Sequence, residues 1–185
     1  MKQTQLFVLS LLLIVIASCK EDRKVEDVQA TIETGTSTFY LIRHAEKDRS
    51  DDQDPDPELT QRGLGRAMHW AEILKDTELD AIYSTDYQRT SMTAAPTSVK
   101  QNIDVQYYDP QTMDIDQFKS DNLNKNVLVV GHSNTTPSFA NLLLGEDKYY
   151  QMDDTDNGSL YIVQIVNGEA TSQKLYFNCN CPKRE

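Results

Sequence analysis

Hydrophobic and polar positions along this chain switch between two spacings. Phe39 to Ile42 and "NVLVVG", residues 126–131, are short unbroken apolar runs of branched and aromatic residues, the form taken by strands covered on both faces. Leu79–Tyr83 and Val105–Tyr108 are weaker versions of the same pattern. Between these runs the apolar spacing lengthens to that of helices. Leu64, Ala67, Met68, Ala71 and Leu74 share one face of a helix that Thr60 can cap and that runs to about Lys75. Asp86–Ala95 reads as a second helix stopped by Pro96, Ile115–Ser120 as part of a third, and Pro137–Leu144 as a fourth. The stretch 159–177, "SLYIVQIVNGEATSQKLYF", reads as a hairpin turning at Asn167-Gly168.

Strands alternating with helices predict an α/β domain with a mostly parallel central sheet, helices on both faces, and an antiparallel edge from the final hairpin. In such a sheet the C-terminal strand ends share one edge, where ligands bind. The first strand runs into Arg43 and His44, the second into Ser84 and then Arg89, the third into Asp109, and the fourth into Gly131 and His132. Only three histidines occur in the chain, and this reading brings two of them to one edge. Packing alone is a poor reason to gather two arginines, two histidines and a carboxylate there, because burying unpaired charge costs several kcal/mol per ion. An anionic ligand would compensate them, and phosphate suits arginine forks well.

Ahead of the domain, Lys2 and the apolar run Leu6–Ile16 have the form of a signal peptide, and the run is too short to span a bilayer. Ile16-Ala17-Ser18-Cys19 resembles the lipobox of bacterial lipoproteins. That resemblance implies a leader over 1–18 and lipid on Cys19, holding the protein to the outer side of the cytoplasmic membrane or to the outer membrane, in the periplasm or at the cell surface. Residues 19–37, charged and poor in apolar side chains, read as a flexible tether. Residues 38–181 then form one domain, with 182–185 as a tail. A formal net charge of −11 excludes nucleic acid as a natural partner and means that any anionic substrate needs a local pocket of positive charge. Cys179 and Cys181 are too close in sequence for an unstrained bridge, although an oxidising compartment could still link them, and the tail that carries them has no evident catalytic role. The acidic stretches "DDQDPDPE" and "DDTDNG" fail the EF-hand pattern and read as solvated loops.

Four segments, in order, resemble the histidine phosphatase superfamily of phosphoglycerate-mutase-like enzymes. Arg43-His44-Ala45-Glu46 is similar to its R-H-G/A-E signature, "LTQRGLGRA" (59–67) to L-T-x-x-G-x-x-R-A, "IYSTDYQRTSMTA" (82–94) to Y-S-S-x-x-x-R-T-x-x-T-A, and "VLVVGHSNT" (127–135) to the strand carrying the second histidine. The resemblance implies a metal-independent and cofactor-free phosphatase that forms a phosphohistidine on His44, with Arg43, Arg89 and His132 neutralising the phosphoryl oxygens and Ser84 and Ser133 as further donors. Asp109 is the expected proton donor and Glu46 the alternative. The structural role open to Glu46 is to pair with Lys47 or a nearby arginine. Ala45 in place of glycine, Ser50 where mutases often carry asparagine, and the short chain favour a phosphatase over a mutase. The expected substrate is a phosphorylated small molecule. Two rival readings are a phosphatase of phosphohistidine on proteins and a non-enzymatic binder of phospho-ligands on the same fold.

Overall fold

The computed structural model describes residues 35–179. The leader 1–18, Cys19, most of the tether, Cys181 and the tail lie outside them. Six strands form one sheet in the order β3-β2-β4-β1-β5-β6. They are β1 (Thr36–Arg43), β2 (Ala81–Ser84), β3 (Val105–Tyr107), β4 (Asn126–Gly131), β5 (Ser159–Val166) and β6 (Glu169–Tyr176). Pairs β1·β4, β2·β4 and β2·β3 are parallel, whereas β1·β5 and β5·β6 are antiparallel. The sheet is therefore mixed, mostly parallel towards β3 and antiparallel at the β6 edge. Asn167 and Gly168 close the hairpin with φ of 52° and 85°, the left-handed pair that a two-residue turn needs.

Alternation within the central strands divides the core between the two faces of the sheet. Phe39 and Leu41 of β1 and Val127 and Val129 of β4 pack with Phe118 of helix α3 (Ile115–Asp121) and Phe139 of helix α4 (Thr135–Leu144). Ile42, Leu128, Val130 and Ile82 point the other way, onto Trp70 and Leu74 from helix α1 (Gln61–Ile73) and its end, and onto Ala94 of helix α2 (Gln88–Gln101). Both faces are thus closed by helices, as unbroken apolar strands require.

Three local readings change. Met68 is 65% exposed, and Trp70 takes its place in the core at 1%. Gly63, Ala67, Trp70, Ala71 and Leu74 keep the helical repeat, and Met68 lies about 100° around the axis from Ala67. Pro96 does not stop α2, which runs on to Gln101 and ends at Asn102 in the left-handed conformation. Proline in a helix forfeits one hydrogen bond, and here buried Thr93, Ala94 and Thr97 on either side hold the helix together. The domain also starts earlier than the tether reading placed it. Thr36 and Ser37 already pair with Val166 and Ile165, and Ser37 is buried while accepting a hydrogen bond from the Asn124 amide at 2.9 Å. Cys179 is disulfide-bonded.

Candidate active site

Strands β1, β4 and β2 lie side by side and end together, with Arg43 opposite Gly131 and Ser84 opposite Val130. The His44 amide continues the ladder, donating to the Gly131 carbonyl at 2.9 Å. His44 is 4% exposed, and its Nδ1 lies 2.7 Å from the Ala45 carbonyl. A carbonyl can only accept, so Nδ1 carries the proton and Nε2 keeps its lone pair. Ala45 is itself fixed, with its amide donating to Thr93 Oγ1 at 2.9 Å, and Asn157 donates to the His44 carbonyl at 2.8 Å. Burial pushes the His44 pKa down to about 3. Its bond to Ala45 works in the opposite direction, and Arg43, His132 and Arg89 repel a further proton.

The His132 ring stands edge-on to that of His44 at 5.5 Å. Its Nε2 lies 2.9 Å from Thr85 Oγ1, and the proton can be traced along the hydroxyls behind it. Thr90 Oγ1 donates to backbone carbonyls of Thr85 and Tyr87, so at 3.1 Å it accepts from Thr85, which in turn accepts from His132 Nε2. His132 Nε2 therefore carries a proton, and in the neutral ring the lone pair lies on Nδ1. Burial followed by repulsion from Arg89, Arg43 and Lys47 lowers its pKa to about 4. A Cβ on Gly131 would sit 2.9 Å from Thr135 Oγ1 and 3.0 Å from Thr136 Oγ1, so a side chain there would displace the threonine hydroxyls beneath His132.

Both arginines are held by carboxylates from the two acidic loops. Arg43 is 3% exposed; its Nη1 donates to the carbonyls of Asp153 (2.9 Å), Asp154 (3.0 Å) and Asp156 (3.3 Å), and its Nη2 to Asp154 Oδ1 (2.8 Å). Arg89 stacks over the Tyr87 ring at 4.3 Å and donates from Nη1 to Asp56 Oδ1 at 3.1 Å. Asp56 also accepts from the Gln88 amide, so it caps α2 from a distant loop where Tyr87, the N-cap residue, provides no side-chain cap. The reading of these loops as merely solvated is corrected at Asp56 and Asp154. Their roles depend on tertiary contact, which charge patterning does not reveal.

The segment 59–67 is built around Glu46. Thr60 caps α1 by accepting from the Gly63 amide at 3.1 Å, and its own amide and hydroxyl both reach the Glu46 carbonyl. A Cβ on Gly63 would lie 2.2 Å from that carbonyl, so only glycine lets the helix approach. Arg66 then grips the Glu46 carboxylate with Nε and Nη2 at 2.7–3.0 Å, and Arg62 joins at 3.1 Å. Burial raises the Glu46 pKa, but the Arg66 hydrogen bonds and the charges of Arg66 and Arg62 outweigh it and hold the group ionised. Glu46 thus pairs with arginines and not with Lys47.

Asp109 is exposed, accepts from the Gln111 amide at 2.9 Å, and does not line the cleft that opens on His44. Ser84 is fully buried and its hydroxyl donates to the Thr85 carbonyl at 2.9 Å, so that hydroxyl is not offered to a ligand. Ser133 is half-buried beside His132, and its carbonyl accepts from the Met152 amide. The cleft itself, about 290 Å³, is lined by His44, Glu46, Lys47, Arg49, Arg62, Asp154, Thr155 and Asn157. Lys47, Arg49 and Asn157 carried no signal in the sequence beyond proximity to His44 or to an acidic loop. Thr85 was hidden behind Ser84, its neighbour in the same motif.

Comparison with known proteins bears on this arrangement directly. Residues 39–110, which hold the C-terminal part of β1, Glu46 and Arg89, match the family model described as "Histidine phosphatase superfamily (branch 1)". Many solved structures share the fold. A chain named for the phosphohistidine phosphatase SixA from Nakamurella multipartitia is 21% identical, with 80% of this chain and 98% of that one covered and a TM-score of 0.56. The family model covers less than half of the chain, and this solved structure, at 21% identity, shows a shared fold. A phosphoglycerate mutase from Bacillus anthracis is 15% identical over 78% of this chain and 94% of its own, with a TM-score of 0.59. The protein histidine phosphatase SixA complexed with tungstate is 14% identical over 75% and 96%, with a TM-score of 0.60. No curated protein matches the chain.

In the unfolded chain both histidines titrate near 6.5, whereas in the fold they titrate at about 3 and about 4. Between those values the unfolded chain binds more protons than the native one. Stability from the neutral pair is therefore complete above about pH 6.5 and is lost as pH falls towards 4 and then 3. Imidazole carbon-bound proton shifts of His44 and His132 followed by NMR should stay flat from about pH 8 to about pH 5. A His44 midpoint near 6.5 would contradict the burial described here.

Proposed function

We propose that the protein is a phosphatase that hydrolyses phosphomonoesters through a phosphohistidine on His44. The observation that carries this reading is the orientation of the His44 ring, with Nδ1–H spent on Ala45 and Nε2 unprotonated among Arg43, Arg89 and His132. A neutral imidazole is a competent nucleophile at phosphorus. Nε2 attacks, the P–O ester bond breaks, and the leaving group departs as its oxyanion, which takes a proton from water. Water then attacks the phosphohistidine, releasing inorganic phosphate and restoring the neutral ring. Arg89 spends Nη1 on Asp56 and keeps the rest of its fork for the phosphoryl oxygens. An incoming dianion raises the pKa of His132, so that its Nδ1 gains a proton and becomes a donor. As drawn, catalysis is positioning plus electrostatics and needs no metal.

A second reading, removal of phosphate from phosphohistidine on a protein, draws support from one feature of the site. Glu46 is held ionised between arginines, and Asp109 lies outside the cleft, so neither acid is placed to protonate a leaving group. Substrates whose leaving group departs without strong acid help fit this best, namely aryl phosphates and phosphorylated imidazoles. His44→Ala in the full chain should abolish turnover of nitrophenyl phosphate, while Asp109→Asn should slow an alkyl and an aryl phosphate equally little. Retained turnover in the alanine variant would remove His44 as nucleophile. A large loss confined to the alkyl ester would restore Asp109 as the acid.

We further propose that the protein is anchored by lipid on Cys19 outside the cytoplasmic membrane, supported by the leader and lipobox pattern of residues 1–19. Cys19→Ser should abolish incorporation of labelled acyl chains and release the domain from the membrane fraction. Undiminished acyl label on that variant would reject the anchor.

A further inference from the structure

His132 is fixed through its backbone and again through its ring. Its amide donates to Thr135 Oγ1 at 2.9 Å and its carbonyl accepts from the Thr136 amide at 2.9 Å, which ties the residue to the start of α4. The ring is tied through Nε2 to Thr85, the residue after β2, which is 1% exposed and whose amide donates to the Val130 carbonyl at 3.3 Å. Behind Thr85 stands Thr90, fully buried in the first turn of α2 beside Arg89. Nδ1 of His132 makes no hydrogen bond among the described residues. The charged and titratable groups around the ring are Arg43, His44 and Lys47 from β1 and the turn after it, Tyr87 and Arg89 from the start of α2, and Asp56 from the acidic loop.

The hydroxyl chain behind the ring admits one arrangement of protons. Thr90 donates to the carbonyls of Thr85 and Tyr87 at 2.8 and 2.9 Å, so its oxygen accepts from Thr85. Turning the Thr85 proton towards His132 would leave two hydroxyl oxygens facing each other with no proton between them, in a buried place where a missing hydrogen bond is costly. The Nε2 proton is thus committed before any ligand arrives, and the neutral ring has only the Nδ1 lone pair to offer. A tetrahedral dianion presents lone pairs as well, so the two attract only once a proton lies between them. We infer that Thr85 is a positioning residue which, by holding Nε2–H, obliges His132 to take up one proton at Nδ1 when a tetrahedral dianion binds. The inference deepens the phosphatase reading, on which it rests for the place of the dianion beside His132. The proton comes from solvent and returns there when the anion leaves. In the bound state both N–H groups of the ring have partners, Thr85 on one side and the anion on the other. Arg89, Arg43 and Lys47 oppose that proton in the empty site, and the anion's charge offsets them.

Sulfate is a suitable probe, because at about pH 6 it is a tetrahedral dianion with no proton of its own, while His132 in the empty site, with a pKa of about 4, is neutral. Long-range proton–nitrogen spectra of the full chain carrying nitrogen-15 histidine report each ring nitrogen as protonated or bare, and the three histidines are assigned by single substitution. Without sulfate, His132 should show Nε2 protonated and Nδ1 bare; at saturating sulfate the downfield signal of the bare Nδ1 should be lost. In Thr85→Val the Nε2 proton would face a methyl group, so the neutral ring should carry its proton on Nδ1 and sulfate should leave Nε2 bare. Thr85→Ser should restore the behaviour of the unsubstituted chain. Should the valine variant not fold, Thr85→Ala takes its place with the same expectation. A bare Nδ1 at saturating sulfate, or a valine or alanine variant whose His132 signals match the unsubstituted chain in both states, would overturn the inference. Turnover of nitrophenyl phosphate by the unsubstituted chain reports separately on the phosphatase reading. Its absence, with the His132 signals as expected, would defeat that reading and leave the proton-coupled anion site standing.

Discussion

The site depends on one hydrogen bond, from His44 Nδ1–H to the carbonyl of its own neighbour Ala45 at 2.7 Å. That bond chooses the tautomer and aims Nε2 away from the backbone. It holds only because the backbone around it cannot move. The His44 amide is tied to Gly131 across the parallel β1·β4 pair, the Ala45 amide to Thr93 of α2, and the His44 carbonyl to Asn157. Ala45 is fully buried against Leu59 and Ala67, so the turn after β1 is packed as core and not as loop. In the proposed reaction a ring anchored this firmly needs little reorganisation to act as the nucleophile.

Charge is the second constraint. A chain with net charge −11 has to make a positive cleft locally, and burying arginines unpaired would cost several kcal/mol each. Internal carboxylates solve this in the free protein. Asp154 holds Arg43, Asp56 holds Arg89 while capping α2, and Glu46 holds Arg66 while anchoring α1. Asp56 and Glu46 thereby each couple an arginine to a helix. The remaining surplus of positive charge is the electrostatic description of a site that awaits an anion.

Much of this was legible in the sequence, for physical reasons that differ by element. The unbroken apolar run 126–131 and the Asn167-Gly168 turn are local signals, and both elements form where they predict. The sheet edge followed from alternation of strands and helices, which places Arg43, His44 and His132 together whatever the loops do. Pro96 misled because propensity is local, whereas α2 is held by packing on either side of it. Asp56 and Asp154 were invisible because a carboxylate that caps a helix or clamps an arginine over a hundred residues away looks, in sequence, like any other in an acidic loop. The same limit applies to Asp109, which stands just after β3 in the chain but accepts from the Gln111 amide two residues ahead.

The central claim is that Nε2 of His44 is the reacting atom because Nδ1 is committed to Ala45. Rapid quench of the full chain with a phosphoryl donor, followed by phosphorus-31 NMR of the denatured protein under alkaline conditions, distinguishes the two phosphohistidine isomers. The account predicts one phosphoryl group per chain, on His44 and at Nε2. Label at Nδ1, or on any other residue, would contradict it.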